Sequence, residues 1–286
     1  MSFFRPLMLA LGKKHGVLHR DANSMMVSNE KYKSHHVFSE LDRYMDFYKN
    51  LSWSVFNFLK MGTNAIYNID SYVYSSIQGT LESIRKILKN GRINDAYALL
   101  RKYYDSVIIN VYSNLYLQDN FSIDNFVIEK IDNWLKGREQ LPEFRIMSGY
   151  IRSSDKVVAI NNLLYADDRY KKIRDRCNDH THYNFFFNVL LNDNEIRLEN
   201  RLQVLNSFSG DARDIFILHL TYLFFLNNHY MTSSDYLDAL ECGVIPEPDS
   251  QYWVAPFIQE VFDEIIKRQR PDIAATIKQN TCMQLV

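Results

Sequence analysis

Asn94-Asp-Ala-Tyr-Ala-Leu-Leu-Arg-Lys-Tyr-Tyr-Asp-Ser-Val-Ile-Ile-Asn-Val-Tyr-Ser-Asn-Leu-Tyr-Leu117 is the stretch that decides the fold. Leu100, Tyr103, Val107, Val111 and Leu115 recur at steps of three and four, the period of one helix face. Arg101 and Asp105 lie four apart on its surface, where they can pair. Asn94 reads as the N-cap, because its short amide can accept from the free N–H groups of a first turn. Upstream, Ile77, Leu81, Ile84 and Leu88 predict a helix from Asp70 to Asn90, with Gly91 as the residue that leaves it. Phe38, Leu41, Met45 and Tyr48, then Val55, Phe58 and Leu59, predict helix from about His36, with a break near Asn50–Ser52. Residues 1–35 lack a clean period and read as an irregular arm.

Downstream, Ser122 is expected to open a helix through Phe126, Val127, Ile131 and Trp134 that Gly137 ends. Pro142 marks a turn or helix start, and Ser154 or Asp155 caps a helix through Val158 to Leu164. Further helices are expected at about 196–206, 211–231, 234–242 and 250–269. Gly243 to Asp249 is the best internal loop, and Pro271 suits the first turn of a last helix. The composition agrees. Glycine and proline number only 9 and 6, too few turn-formers for a β-rich chain of 286 residues. The expectation is an all-α helical bundle: a domain over 36–243 and a C-terminal helical appendage over 244–286.

The formal net charge is −1, so the chain as a whole is not a general phosphate binder, and any nucleic-acid contact needs a local basic patch. Cys177, Cys242 and Cys282 are far apart and odd in number, which points to reduced thiols and a cytoplasmic setting. Ile215 to Leu226 is apolar but too short to span a bilayer, so no membrane partner is expected. His219 within it reads as a satisfied core histidine. The chain has no GxxxxGK[ST] or GxGxxG phosphate loop, no HExxH, no Glu-x-x-His, no His-Asp dipeptide and no GxSxG elbow, so no cofactor is expected.

One segment stands apart: Asp167-Asp-Arg-Tyr-Lys-Lys-Ile-Arg-Asp-Arg-Cys-Asn-Asp-His-Thr-His-Tyr-Asn184. If helical, it sets Arg169, Lys172, Arg176 and His180 on one stripe, with Ile173 and Cys177 beside it facing the core. Arginine can grip a phosphate bidentately, and histidine can move a proton near neutral pH. The competing reading is a solvated charged face that Asp168, Asp175 and Asp179 neutralise locally. A zinc site is not expected, because His180 and His182, two apart, point to different helix faces. Three successive phenylalanines, Phe185 to Phe187, follow. One helix face cannot bury all three, so at least one must meet another helix or another subunit.

At this segment the chain resembles the HEPN superfamily of helical proteins, whose hallmark is Arg, four to six residues, then His, often with a polar residue after the Arg. Two overlapping matches occur. Arg176 to His182 and Arg174 to His180 each enclose five residues, and Asp175 supplies the polar follower in the second. Leu99-Leu-Arg-Lys-Tyr-Tyr-Asp105 is similar to a helix of several HEPN-like bacterial families. The resemblance covers about residues 70–230. It implies a homodimer that brings two motifs together across a two-fold cleft. It also implies one of two functions. The first is a metal-independent endoribonuclease of a bacterial defence or toxin–antitoxin type, acting on an RNA substrate and controlled by an antitoxin or other protein partner. There Arg176 and His182, or Arg174 and His180, would be catalytic, with Asn178, Thr181, Arg169, Lys172, Arg101 and Asp105 in support. The second is a non-catalytic helical interaction or dimerisation module.

Overall fold

The computed structural model of the chain describes residues 26–56, 65–123, 125–244, 254–281 and 283–286. Among these residues there is no β-strand; Ser122 with Asn125 and Thr232 with Val254 form isolated bridges. The fold is all-α, as the spacing predicts.

Helix α1 (Val37–Phe56) runs straight through the expected break at Asn50–Ser52. Leu51 is buried there, and Ser52 turns its hydroxyl to the next helix. Ser52 Oγ donates to the Ser71 carbonyl at 2.9 Å, and Ser71 Oγ returns a bond to the Ser52 carbonyl at 3.0 Å. A serine bonded across a helix pair does not compete with its own backbone. Phe58 and Leu59 lie outside the described residues. Helix α2 (Ile69–Lys89) ends at Asn90, and Gly91 follows at φ +76°, where a side chain would also strike Val27.

Helix α3 (Ile93–Asn120) is the hub of the bundle. It packs against α2, against α5 (Phe144–Ser153), against α7 (Arg169–Thr181) and against α9 (Arg201–Leu226). All five residues of its predicted stripe are buried. Burying side chains of this size stabilises by roughly 1.5–3 kcal/mol each relative to exposure. Asn94 is not the N-cap. Arg92 holds that position, and Asn94 is already helical and buried, with its side chain committed to tertiary contacts.

Helix α4 (Glu129–Leu135) starts later than Ser122. The Ser122 N–H and carbonyl bond to Asn125 in a bridged turn, so neither is free to start a helix, and Phe126 and Val127 stay exposed. A 3₁₀ turn at Asp155–Val157 leads into α6 (Val158–Leu164). After α7 comes the short α8 (Phe186–Leu190). Helix α9 replaces two expected helices by one. Gly210 lies inside it, where a glycine costs only about 1 kcal/mol against alanine and the buried residues on both sides keep the helix continuous. Residues 196–200 are not helical, because Arg201 Nη2 donates to the carbonyls of Asp193 and Ile196 and ties that loop down.

Helix α10 (Ser234–Glu241) precedes the expected Gly243–Asp249 loop, most of which lies outside the described residues. Helix α11 (Pro256–Val261) continues through a π turn at Phe262–Ile266 and a last turn at Lys267–Gln269. Helix α12 (Pro271–Asn280) begins at its proline as expected. These C-terminal helices bury Ile258, Phe262, Ile273 and Ile277 in the same apolar cluster as the bundle. Residues 1–25 of the N-terminal arm lie outside the described residues. The part that is described makes one helical turn, Glu30–Lys33, and buries Tyr32, whose hydroxyl donates to the Leu88 carbonyl at 2.7 Å. No helix among the described residues is long and apolar enough to cross a membrane.

Candidate functional site

Within the segment Asp167 to Asn184, helix α7 forms over Arg169–Thr181 and leaves His182 to Asn184 outside it. Asp167 starts it by accepting the Arg169 N–H at 2.9 Å, and Tyr170, Ile173, Cys177 and His180 make its buried stripe. His180 therefore belongs to the core side of the helix and not to an exposed basic ridge. Cys177 is buried beside it. Burial pushes its thiol up to about 12, so it is an inert core residue.

His180 is held on two sides. Its Nδ1 lies 2.7 Å from Asn94 Oδ1, and its ring stacks on Tyr97 with centroids 3.9 Å apart and planes within 5°. Asn94 donates its own Nδ2 to the Asn188 carbonyl, so its oxygen faces the histidine and Nδ1 carries the proton. Burial lowers the His180 pKa to about 4, so the ring is neutral at pH 7.

The cations of α7 are mostly matched. Arg176 makes a bidentate pair with Asp211 of α9, Nε donating at 2.8 Å and Nη2 to the other oxygen. Asp211 is buried, and Tyr97 approaches the same carboxylate at 3.5 Å. The paired carboxylate raises the Arg176 pKa further. Arg174 donates to Asp105 at 2.8 Å, and its guanidinium lies over the Phe144 ring, 3.6 Å from the centroid. Arg169 grips Asp167 and reaches Asp214 at 3.4 Å. Arg101 donates to Asn178 Oδ1 and lies 4.0 Å from Asp105, which prefers Arg174. Lys171 and Lys172 are exposed.

The two Arg–His registers separate in space. In the first, Arg176 is engaged with Asp211, while His182 is exposed beyond the end of α7. In the second, Arg174 faces Asp105 and His180 is buried against Tyr97. Two of the six expected supporters, Asn178 and Thr181, are occupied elsewhere. Asn178 accepts from Arg101, and the Thr181 hydroxyl bonds back to the Cys177 carbonyl at 2.7 Å. His182 leads into Tyr183, a non-glycine residue at φ +51°. The Asn184 N–H closes that turn onto the Asp179 carbonyl at 3.1 Å. Beyond it Phe187 packs partly on the core, while Phe185 and Phe186 stand exposed.

Sequence spacing did not point to Asp211, Tyr97 or Asn94 as members of this cluster. Asp211 carried a usable signal: a carboxylate among the apolar residues of α9 must find a partner. A second polar cluster was also missed. Asp70 is buried at the start of α2 and accepts from Asn110 at 2.6 Å, Asn114 at 2.8 Å and Tyr230 at 2.8 Å. Asn110 Oδ1 in turn meets His219 Nε2 at 2.9 Å, and His219 Nδ1 meets the Tyr48 hydroxyl at 2.8 Å. His219 is thus the satisfied core histidine that the sequence suggested. Among the described residues no group of three His, Cys, Asp or Glu side chains could hold a metal. No protein-family model, curated protein or solved structure matches the chain.

Proposed function

We propose that the chain is a non-catalytic helical interaction module that pairs with a second copy of itself through the surface following α7. The carrying observation is the run from Tyr183 to Val189. Tyr183, Phe185, Phe186 and Val189 are all exposed, Phe186 by 75%. Consecutive large apolar side chains in water mark a contact surface more than scattered ones do. A second copy suits the surface for two reasons. The arginines of α7 are answered within the chain, so two copies meeting here bring little unmatched charge together. A single patch that contacts itself also closes as a two-fold dimer, the commonest oligomer. The HEPN resemblance, with its two-fold dimer, agrees with this reading, as does a cytoplasmic location.

Sedimentation equilibrium at micromolar concentration tests it. The wild type is expected to be a dimer, and Phe186→Asp a folded monomer. A monomeric wild type, or a Phe186→Asp dimer of unchanged affinity, would overturn the reading.

A second reading is the metal-independent endoribonuclease, in which two His182 rings approach across the two-fold. The strained turn at Tyr183 favours it, because a non-glycine residue at positive φ is costly and such residues gather at functional sites. The partly exposed Arg176 would then serve phosphate as well as Asp211.

A further inference from the structure

A cavity of about 640 Å³ opens between the start of α2, the end of α3, α4 and the turn at Asn228–Met231. Its apolar wall includes Ile66, Leu117 and Ile128, and its rings come from Tyr67, Phe121, Phe126 and Tyr230. That size and lining are typical of a small-molecule site. Among the described residues no lysine or arginine lines it, and two carboxyl groups do, Asp70 and Asp132. His229, also in the wall, is kept neutral at pH 7 because burial lowers its pKa.

The two carboxyl groups differ. Asp132 is already paired with Lys136 at 2.6 Å. Asp70, 6% exposed, has no lysine or arginine partner among the described residues. A buried carboxylate without a cation is costly, and burial raises the Asp70 pKa against the pull of its three hydrogen bonds, so a cation entering the cavity would stabilise the charged form. Its hydrogen bonds show which oxygen a donor could reach. A carboxylate has about four acceptor positions. Oδ1 of Asp70 takes two donors, Asn110 and Asn114, and Oδ2 takes one, Tyr230. One position remains on Oδ2. The surrounding rings offer negative faces that also favour a cation.

We propose that this cavity binds a protonated organic amine, with its N–H⁺ donating to Asp70 Oδ2 and its apolar body lying against Leu117, Ile128 and the Phe121 and Phe126 rings. The neutral amide and phenol donors hold the carboxylate in place without cancelling its charge. The ring wall accepts a flat or branched hydrocarbon body.

Isothermal titration of the full chain with four near-isosteric probes tests the assignment: 2-phenylethylammonium, its N-trimethyl derivative, 2-phenylethanol and 3-phenylpropanoate. The primary ammonium is expected to bind at least tenfold more tightly than the alcohol and the carboxylate, and more tightly than the trimethyl derivative, which has no N–H. Asp70→Asn is expected to weaken ammonium binding at least tenfold while leaving the alcohol unchanged. Should Asp70→Asn not fold, Phe126→Ala decides, because this ring is largely exposed and its loss leaves the core intact. Phe126→Ala is expected to weaken the ammonium at least threefold. Equal affinity for ammonium and alcohol, no saturable binding of any probe, or variants that bind the ammonium as the wild type does would each overturn the proposal.

Discussion

Asp211 and Asp70 are both aspartates sunk into the bundle, and they are answered differently. Asp211 meets the fork of Arg176, so its end of the molecule is closed: carboxylate, guanidinium, Tyr97 and His180 fill one another's needs. Asp70 meets two amides and a phenol, none charged, and faces a cavity. The difference teaches how to read a motif of charged residues. The cluster conspicuous in sequence, α7, is the one whose charges are largely spent on holding helices together. The one assembled from distant neutral residues is the one left open to a ligand.

The largest expected effect breaks the closed end. Arg176→Ala leaves Asp211 buried without its cation and is expected to cost about 2–4 kcal/mol in urea unfolding, somewhat below a fully buried pair because the guanidinium is partly exposed. The double variant Arg176→Met, Asp211→Leu is expected within about 1 kcal/mol of wild type, since apolar replacement of a buried pair is often nearly neutral. A single variant costing under about 0.5 kcal/mol would show that the pair does not hold this end.

The second effect is a pH dependence from the same cluster. The folded-state pKa of His180 is lowered to about 4, against 6.5 for an unperturbed ring. The unfolded chain therefore binds the extra proton in that window. Stability is full above pH 6.5 and is lost as pH falls from 6.5 toward 4, by at most about 3 kcal/mol. His219, lowered to about 3, adds loss of the same sign over 6.5 to 3. His180→Gln should flatten part of the slope in chemical denaturation followed from pH 7 to pH 4. A slope identical to wild type would mean that His180 is solvated.

At the open end, Tyr230→Phe removes one neutral donor from Asp70. It is expected to cost about 1 kcal/mol, less than the break at Asp211, because a phenol is lost and not a paired charge. A loss as large as that of Arg176→Ala would erase the contrast between the two ends. The smallest effect lies in the turn that follows α7. Tyr183 at φ +51° occupies a position suited to glycine, so Tyr183→Gly is expected to gain about 0.5 kcal/mol by thermal unfolding of the monomeric Phe186→Asp background. A loss of stability there would mean that the ring is a structural contact and not a surface reserved for a partner.

The helices were legible where apolar side chains set the local period. Leu100 to Leu115 predicted α3, and Ile173 and Cys177 marked the inner face of α7. Boundaries failed where a side chain took a tertiary partner in place of a local one. Asn94 reaches Asn188 and His180, Ser52 reaches Ser71, and Arg201 holds the loop before α9. The candidate site was only half legible for the same reason. Spacing can align Arg176 and His180 on one helix. It cannot announce that Asp211 stands opposite, or that Asp70 and Tyr230 meet across 160 residues of chain. The readable hint was chemical: Asn110 and Asn114, four apart among the apolar residues of α3, had to be bonded to something.

On the proposed reading Arg176 serves the Asp211 pair, the exposed run after α7 serves association, and neither Arg176 nor His182 cleaves a phosphodiester. Purified protein incubated with single-stranded RNA in EDTA tests it most directly, beside Arg176→Ala and His182→Ala, with Arg174→Ala and His180→Ala for the other register. The account predicts no cleavage above buffer for the wild type and no difference among the variants. RNA products ending in 2′,3′-cyclic phosphate, formed by wild type and lost by roughly 10²-fold or more in His182→Ala or His180→Ala, would contradict it.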